Sequence, residues 1–168
     1  MLKRLLIFVL LVSIATTQYA QNFYISGGNS YSAMMCANGS VYTWGKNDQS
    51  QLGRTAAATG DGTPGLVTGL PTVKLLDAGS GSHAVVLACD NTVYTWGDNS
   101  SCQLGDGTTT CGVAGKTSMT PIHVVAGATG TGYLSNVKYV TSGTSQSYAI
   151  LANGDLVAWG SNANGQLG

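Results

Sequence analysis

The stretch VYTWGKNDQSQLG, residues 41–53, returns as VYTWGDNSSCQLG at 93–105 and as LVAWGSNANGQLG at 156–168. A phrase repeated in order marks a chain built from copies of one supersecondary unit, each too small to bury its apolar face without a neighbour. The tryptophans Trp44, Trp96 and Trp159 lie 52 and 63 residues apart, so the spacing stretches while the landmarks keep their order. The additional residues of the second copy fall between Leu104 and Pro121 and between Pro121 and Val137. Growth confined to connections is the behaviour of a fixed scaffold with variable loops.

Upstream of each phrase stands a short apolar run, at 32–37, 84–89 and 148–152, of strand length and composition. It is followed by Asn38-Gly39, Asp90-Asn91 and Asn153-Gly154, residues that tolerate positive φ and suit a two-residue hairpin turn. The next strand carries the tryptophan. After the polar loop that closes on Gln-Leu-Gly, Pro64 and Pro121 announce a third strand at a sheet edge, where a missing donor can face solvent. A fourth strand is expected at 72–78 and 136–141, delivering the chain into the next copy at Gly79 and Gly143. On this assignment residues 23–28, which read like 138–143, are the fourth strand of a unit that is not there, of the kind that clasps a closed ring. The fold class is all-β, in four-stranded units.

Recurrence also assigns roles, because a catalytic group is needed once and a packing group in every unit. Trp44, Trp96 and Trp159 are expected to pack against the neighbouring unit, each indole donating to a carbonyl at the interface. Gly45, Gly97 and Gly160, with Gly53, Gly105 and Gly168, provide tight left-handed corners. Leu52, Leu104 and Leu167 plug the seam. Gln51, Gln103 and Gln166 have the reach to hydrogen-bond loop backbone.

The motif of a hydrophobic residue, Tyr, any residue, Trp-Gly, then Asn and Gln-Leu-Gly resembles the repeat of the regulator of chromosome condensation family. The resemblance covers nearly all of the chain after residue 20. It implies a partial β-propeller with blades of four strands, and the remaining blades of the same protein as neighbours. The family's founding member acts in the nucleus, on chromatin and as an exchange factor for a small GTPase. No residue here matches that exchange surface, so the fold transfers and the activity does not.

Composition narrows the function. Lys3 and Arg4 precede an apolar run at 5–15, and Ala20 closes the segment, which is the layout of a cleaved secretory signal and too short to span a bilayer. The expected organisation is a signal helix at 1–20 and a repeat region at 21–168, with no membrane span after cleavage. The leader and the lysine-poor, threonine-rich body fit a bacterial protein that is secreted or held at the cell surface. Past residue 20, five basic residues face seven aspartates and no glutamate, a net charge of about −2. Such a surface offers nothing to displace counterions, so a nucleic-acid partner is not expected. Four cysteines allow three pairings in an oxidising compartment. Cys102 and Cys111, bracketing a Gly/Thr-rich loop, are the preferred pair; Cys36 and Cys89 either pair across units or stay free.

The search for chemistry is thin. Ser82 and His83 are adjacent and point to opposite faces of a strand, so they form no nucleophile–base pair, and His83 occupies the slot of Tyr31 in the first copy. His123 has no carboxylate or cysteine at ligand spacing. Residues 60–65 match GxGxxG formally, yet follow no strand of a βαβ unit and carry proline. Asn47-Asp48, Asp98-Asn99 and Asp106-Gly107 read as turns rather than calcium ligands. Asn38 and Asn99 open glycosylation sequons. The expected function is a non-enzymatic, exported propeller without cofactor or metal. It would bind an unknown protein or surface macromolecule through its loops, with Tyr133 in the long second-unit loop as the aromatic anchor. The alternatives are an exchange-factor or enzyme-associated propeller, and a passive spacer.

Overall fold

The computed structural model describes residues 23–108, 113, 116–127 and 130–168. The expected signal segment at 1–20 and Cys111 lie outside the described residues. Among those residues the regular structure is a series of strands. They are β1 (Tyr24–Gly27), β2 (Tyr31–Met35), β3 (Val41–Gly45), β4 (Asp61–Leu66), β5 (Val73–Asp77), β6 (His83–Ala88), β7 (Val93–Asp98), β8 (Thr117–His123), β9 (Val137–Ser142), β10 (Gln146–Leu151) and β11 (Leu156–Gly160). All pair antiparallel, in meander order, as three sheets: β1-β2-β3-β4, β5-β6-β7-β8 and β9-β10-β11. These are the blades of a partial propeller.

Strand β6 reads HAVVLA and is buried on both faces, because the second blade lies between the other two. In β2 and β10, burial alternates with the pleat. One apolar cluster, containing Ala33, Val41, Leu52, Leu76, Val86 and Trp96, fills the joint between the first and second blades. A second, containing Val85, Leu87, Val93, Val137, Val140 and Ala149, fills the joint between the second and third.

The strand at 72–78 is corrected in its sheet membership. Instead of closing the first unit, β5 pairs with β6 and opens the second blade; β9 likewise pairs with β10. Accordingly β1 is not left over from an absent unit. It pairs with β2 through Tyr24↔Met35 and Gly27↔Ser32. The physical reason lies in the connections. Gly79 and Gly143 sit in hairpin turns within a blade, whereas residues 67–72 carry the chain from the outer strand β4 to the inner strand β5 of the next sheet. That crossing is pinned by Val73 N donating to Gly39 O (3.1 Å) and repeated by Val137 N donating to Asn91 O (3.2 Å).

The β2–β3, β6–β7 and β10–β11 hairpins exist where expected, with loops of three residues rather than two. Cys36 N donates to Ser40 O while Gly39 N donates to Cys36 O, and the same pair of bonds recurs at Ala88/Thr92/Asn91 and Leu151/Asp155/Gly154. This is a type I turn followed by a left-handed residue, at Gly39 (φ 80), Asn91 (φ 69) and Gly154 (φ 96). The side chains of Asn38, Asp90 and Asn153 each accept the backbone N–H two residues on, at 3.0 Å in all three copies. Pro64 and Pro121 do lie on the outermost strands, β4 and β8, beside register shifts opposite Trp44 and Trp96.

Candidate functional site

The recurring residues build the joints. Trp96 is fully buried, and its Nε1 donates to the backbone carbonyl of Gln51 in the preceding blade at 3.0 Å; Trp159 does the same to Gln103 at 2.9 Å. Leu52 and Leu104 are buried under these contacts. A Cβ at Gly53 would stand 2.5 Å from the Trp96 ring, and one at Gly105 2.8 Å from Trp159 Nε1, so the indole lies directly on glycine. Gly45, Gly97, Gly160 and Gly168 also take positive φ, as expected of the corners.

The loop that presents the carbonyl is locked from inside. Asn47, Asn99 and Asn162 each accept the N–H of the leucine five residues on, at 2.9 to 3.1 Å. Gln51, Gln103 and Gln166 each accept a backbone N–H two residues before them, at 2.7 to 2.9 Å. Thr43 and Thr95 hydroxyls add bonds to the carbonyls of Leu52 and Leu104. In the third copy Ala158 replaces that threonine, and Tyr148, on the strand paired with it, donates instead to the neighbouring carbonyl of the same loop, Gln166 O, at 3.2 Å.

Two polar features cross the joints beneath the tryptophans. On the inner strands, Asp77 accepts Ser26 Oγ (3.3 Å) from the first blade and both Thr141 Oγ1 (2.7 Å) and Ser142 N (2.8 Å) from the third. Beside them, Tyr31 donates to Ala78 O and His83 O, and burial, with the charge of Asp77 adding to it, raises its phenol well above the ordinary tyrosine range. His83, in the same slot one blade on, is fully buried with Nε2 at 3.0 Å from Ser147 Oγ. Ser147 Oγ donates to Gln103 O, so His83 Nε2 carries the proton in this pair, and His83 Nδ1 is buried without a partner. Burial pushes this imidazole down to about 4, and it is neutral at ordinary pH. Its place in the joint is structural.

The rim of the second blade differs from the first. Tyr133 is 56 % exposed and stacks on His123 with ring centroids 4.1 Å apart; His123 in turn leans on Tyr94. Next to this stack is an open cleft of about 570 Å³ lined by Asn99, Asp106, Ile122, His123, Val125 and Tyr133. Asp98 and Asp106 use carboxylate oxygens to cap the turns at Ser100 and Thr108. Among the described residues no group of three or more His, Cys, Asp or Glu could hold a metal ion. Cys36 and Cys89 are free thiols. Cys102 sits in the left-handed position of the second Gln-Leu-Gly turn (φ 60), and its expected partner Cys111 lies outside the described residues.

The model of the regulator of chromosome condensation (RCC1) repeat matches residues 38–88 and 90–150, and a second model of that repeat matches 137–166. The chain belongs to this repeat family. The Homo sapiens E3 ubiquitin-protein ligase HERC2 is 43% identical over 83 residues, covering 49% of this chain and 2% of that protein. The X-linked retinitis pigmentosa GTPase regulator of Canis lupus familiaris is 28% identical over 165 residues, covering 90% of this chain and 15% of that protein. Among solved structures, Prp20p from Saccharomyces cerevisiae superposes with a TM-score of 0.69 at 23% identity, over 91% of this chain and 34% of that one. Human WBSCR16 superposes with a TM-score of 0.67 at 17% identity, over 85% and 34%. The chain thus spans a small part of these curated relatives and about a third of the solved propellers. The likeness to solved structures establishes the RCC1 fold.

Within that RCC1 fold, the family's landmarks are taken up by the joints. Tyr133 and His123 fall in or beside the stretch by which the second copy outgrows the first. Periodicity alone could not reveal their stacking, because the first copy has no counterpart to Tyr133.

Proposed function

We propose that this chain is an exported, non-enzymatic RCC1-repeat module that binds a protein or another macromolecule outside the cell or at its surface. The observation that carries the reading is the second-blade rim. There an exposed tyrosine is held flat on a histidine beside a cleft, on a scaffold in which Asp98 and Asp106 are occupied in turns and Asp77 and His83 in the joints. Aromatic side chains of fixed orientation lose little entropy on contact and serve as anchors. Prp20p, a yeast protein of the same fold, has binding properties to Gsp1p and histones, which supports a protein as the class of partner. The leader-like segment at 1–20 supports export. A Cys102–Cys111 disulfide, formed in an oxidising compartment, would clamp the loop next to this rim.

Two measurements test the reading. Expressed in a bacterial host, the protein is expected in the medium or surface fraction with a mature terminus at Gln21; retention of an uncleaved chain in the cytoplasm refutes export. Pull-down with the intact protein is expected to retain a partner that Tyr133→Ala loses, with affinity weaker by tenfold or more, of order 1–2 kcal/mol. Unchanged retention removes this loop from the account, and no partner above background makes the module a spacer.

A further inference from the structure

The rim stack sits on the middle blade, which has a neighbour on each side. Tyr94, His123 and Tyr133 form a run of three rings with centroids 4.1 Å apart at each step. One face of Tyr133 rests on the imidazole, and the residue is still 56 % exposed, so ring surface remains for a second flat group. Ile122 and Val125 add apolar wall to the adjoining cleft of about 570 Å³.

The side-chain acceptors of this cleft are committed to the chain itself. Asp106 Oδ1 accepts the N–H (3.0 Å) and the O–H (2.6 Å) of Thr108, and its Oδ2 accepts Asn99 Nδ2 at 3.0 Å. Asn99 Oδ1 accepts Leu104 N at 3.0 Å, and Thr117 Oγ1 lies 3.0 Å from Ser50 Oγ of the first blade. Two donors are not committed. The Tyr133 hydroxyl has no partner among the described residues. His123 Nδ1 is buried without a partner, and a bare buried nitrogen costs less than an unpaired buried N–H, so the proton is placed on Nε2. The rim therefore offers flat apolar surface and donors, with few side-chain acceptors left.

A ligand that matches is flat-sided, rich in carbonyl acceptors and poor in N–H donors. A proline-rich segment meets all three conditions: its rings are apolar, its prolines have no N–H, and in the extended polyproline II form its carbonyls stand unpaired. A sugar chain or an ordinary peptide brings donors in equal measure, which this rim leaves unmatched. Resting on the reading of the rim as a binding site, we propose that the partner presents a proline-rich extended segment. One proline ring stacks on Tyr133, and neighbouring carbonyls accept from Tyr133 O–H and His123 Nε2–H. Such a segment is already extended before it binds and gives up little entropy on an aromatic-lined groove.

Two-dimensional NMR titration of the isotope-labelled chain with a capped decaproline peptide tests this, beside a capped Gly-Ser peptide of equal length and a neutral cello-oligosaccharide. Decaproline is expected to give saturable shifts at the residues around Tyr133, and the other two probes none. Tyr133→Ala is expected to weaken decaproline binding by about tenfold or more. Tyr133→Phe, which keeps the ring and loses the hydroxyl, is expected to weaken it by about threefold to tenfold. Tyr133 is exposed, so both variants keep the fold, which their own spectra check. No saturable shift with decaproline, equal binding of the Gly-Ser peptide or the sugar, or unchanged affinity in Tyr133→Ala each overturns the proposal. The pull-down is a separate measurement: a partner captured there through Tyr133 and not displaced by decaproline leaves the rim a binding site and removes proline from the account.

Discussion

Replacing His83 with glutamine isolates the contribution of one buried imidazole to acid stability. In the folded chain burial holds His83 near 4, against 6.5 when unfolded. Above the unfolded value neither state takes up the proton, and the joint has its full stability. As pH falls below 6.5 the unfolded chain is protonated first, so stability drops by about 1.4 kcal/mol per pH unit until the folded pKa is reached. The loss is about 2 kcal/mol by pH 5 and levels off at about 3 kcal/mol below pH 4. Glutamine fills this slot in the third blade as Gln146, can donate to Ser147 Oγ, and does not titrate. Urea unfolding followed by tryptophan fluorescence at pH 7, 5 and 4 then gives the difference between the two proteins at each pH. The aspartates are common to both and cancel in that difference. The variant is expected to be the weaker at neutral pH, where it loses packing, and to gain about 2 kcal/mol on the wild type between pH 7 and pH 5. Parallel pH profiles would show that His83 is solvated or paired in the folded state, and the joint described above would be wrong at its centre.

Two further outcomes follow from the joints, both read by denaturant unfolding of dilute protein. Trp96→Ala, which empties a closed joint, should cost about 3–5 kcal/mol, whereas Trp44→Ala, whose indole N–H meets no acceptor among the described residues, should cost about 1 kcal/mol; equal losses would mean that the indoles stabilise their own blade and not its neighbour. Gly53→Ala places a Cβ 2.5 Å from the Trp96 ring at φ +62 and should cost about 2 kcal/mol or more, while Gly62→Ala, with open space around it, should change stability by less than about 0.5 kcal/mol.

The hairpins, the edge prolines and the role of Trp-Gly and Gln-Leu-Gly were legible from the chain because each depends on residues within a few positions of one another, written three times. The boundary of a blade was not, for a reason inherent in repeats. A periodic sequence states which elements recur and in what order, and any cut through the period yields the same list. Only the hydrogen bonds decide that 72–78 opens a blade instead of closing one, and the clue in the chain was the turn at Gly79, shorter than the crossing at 67–72. The chain alone does not fix hairpin length, because Asn-Gly suits both a two-residue turn and the left-handed end of a three-residue loop; the backbone N–H groups of Ser40, Thr92 and Asp155, donating to the Asx side chain two residues before, hold the three-residue form.

The joint residues least visible beforehand are those in which a fixed role changes hands. Tyr31, His83 and Gln146 share a slot but no single chemistry: Tyr31 and His83 reach the next blade, at His83 O and Ser147 Oγ, whereas Gln146 accepts the backbone N–H of Ser145 beside it. Where Thr43 and Thr95 give way to Ala158, Tyr148, directly paired with it, brings a hydroxyl to the same loop from the neighbouring strand, gripping Gln166 O instead of the leucine carbonyl. Read one column at a time, that exchange looks like the loss of a threonine and a chance tyrosine. Read across the ladder, each blade has one hydroxyl tether to the Gln-Leu-Gly loop, on the leucine carbonyl in the first two blades and on the glutamine carbonyl in the third, so what recurs is the anchored loop and not the side chain that holds it. The third blade therefore keeps its acceptor in place even where its sequence departs from the repeat.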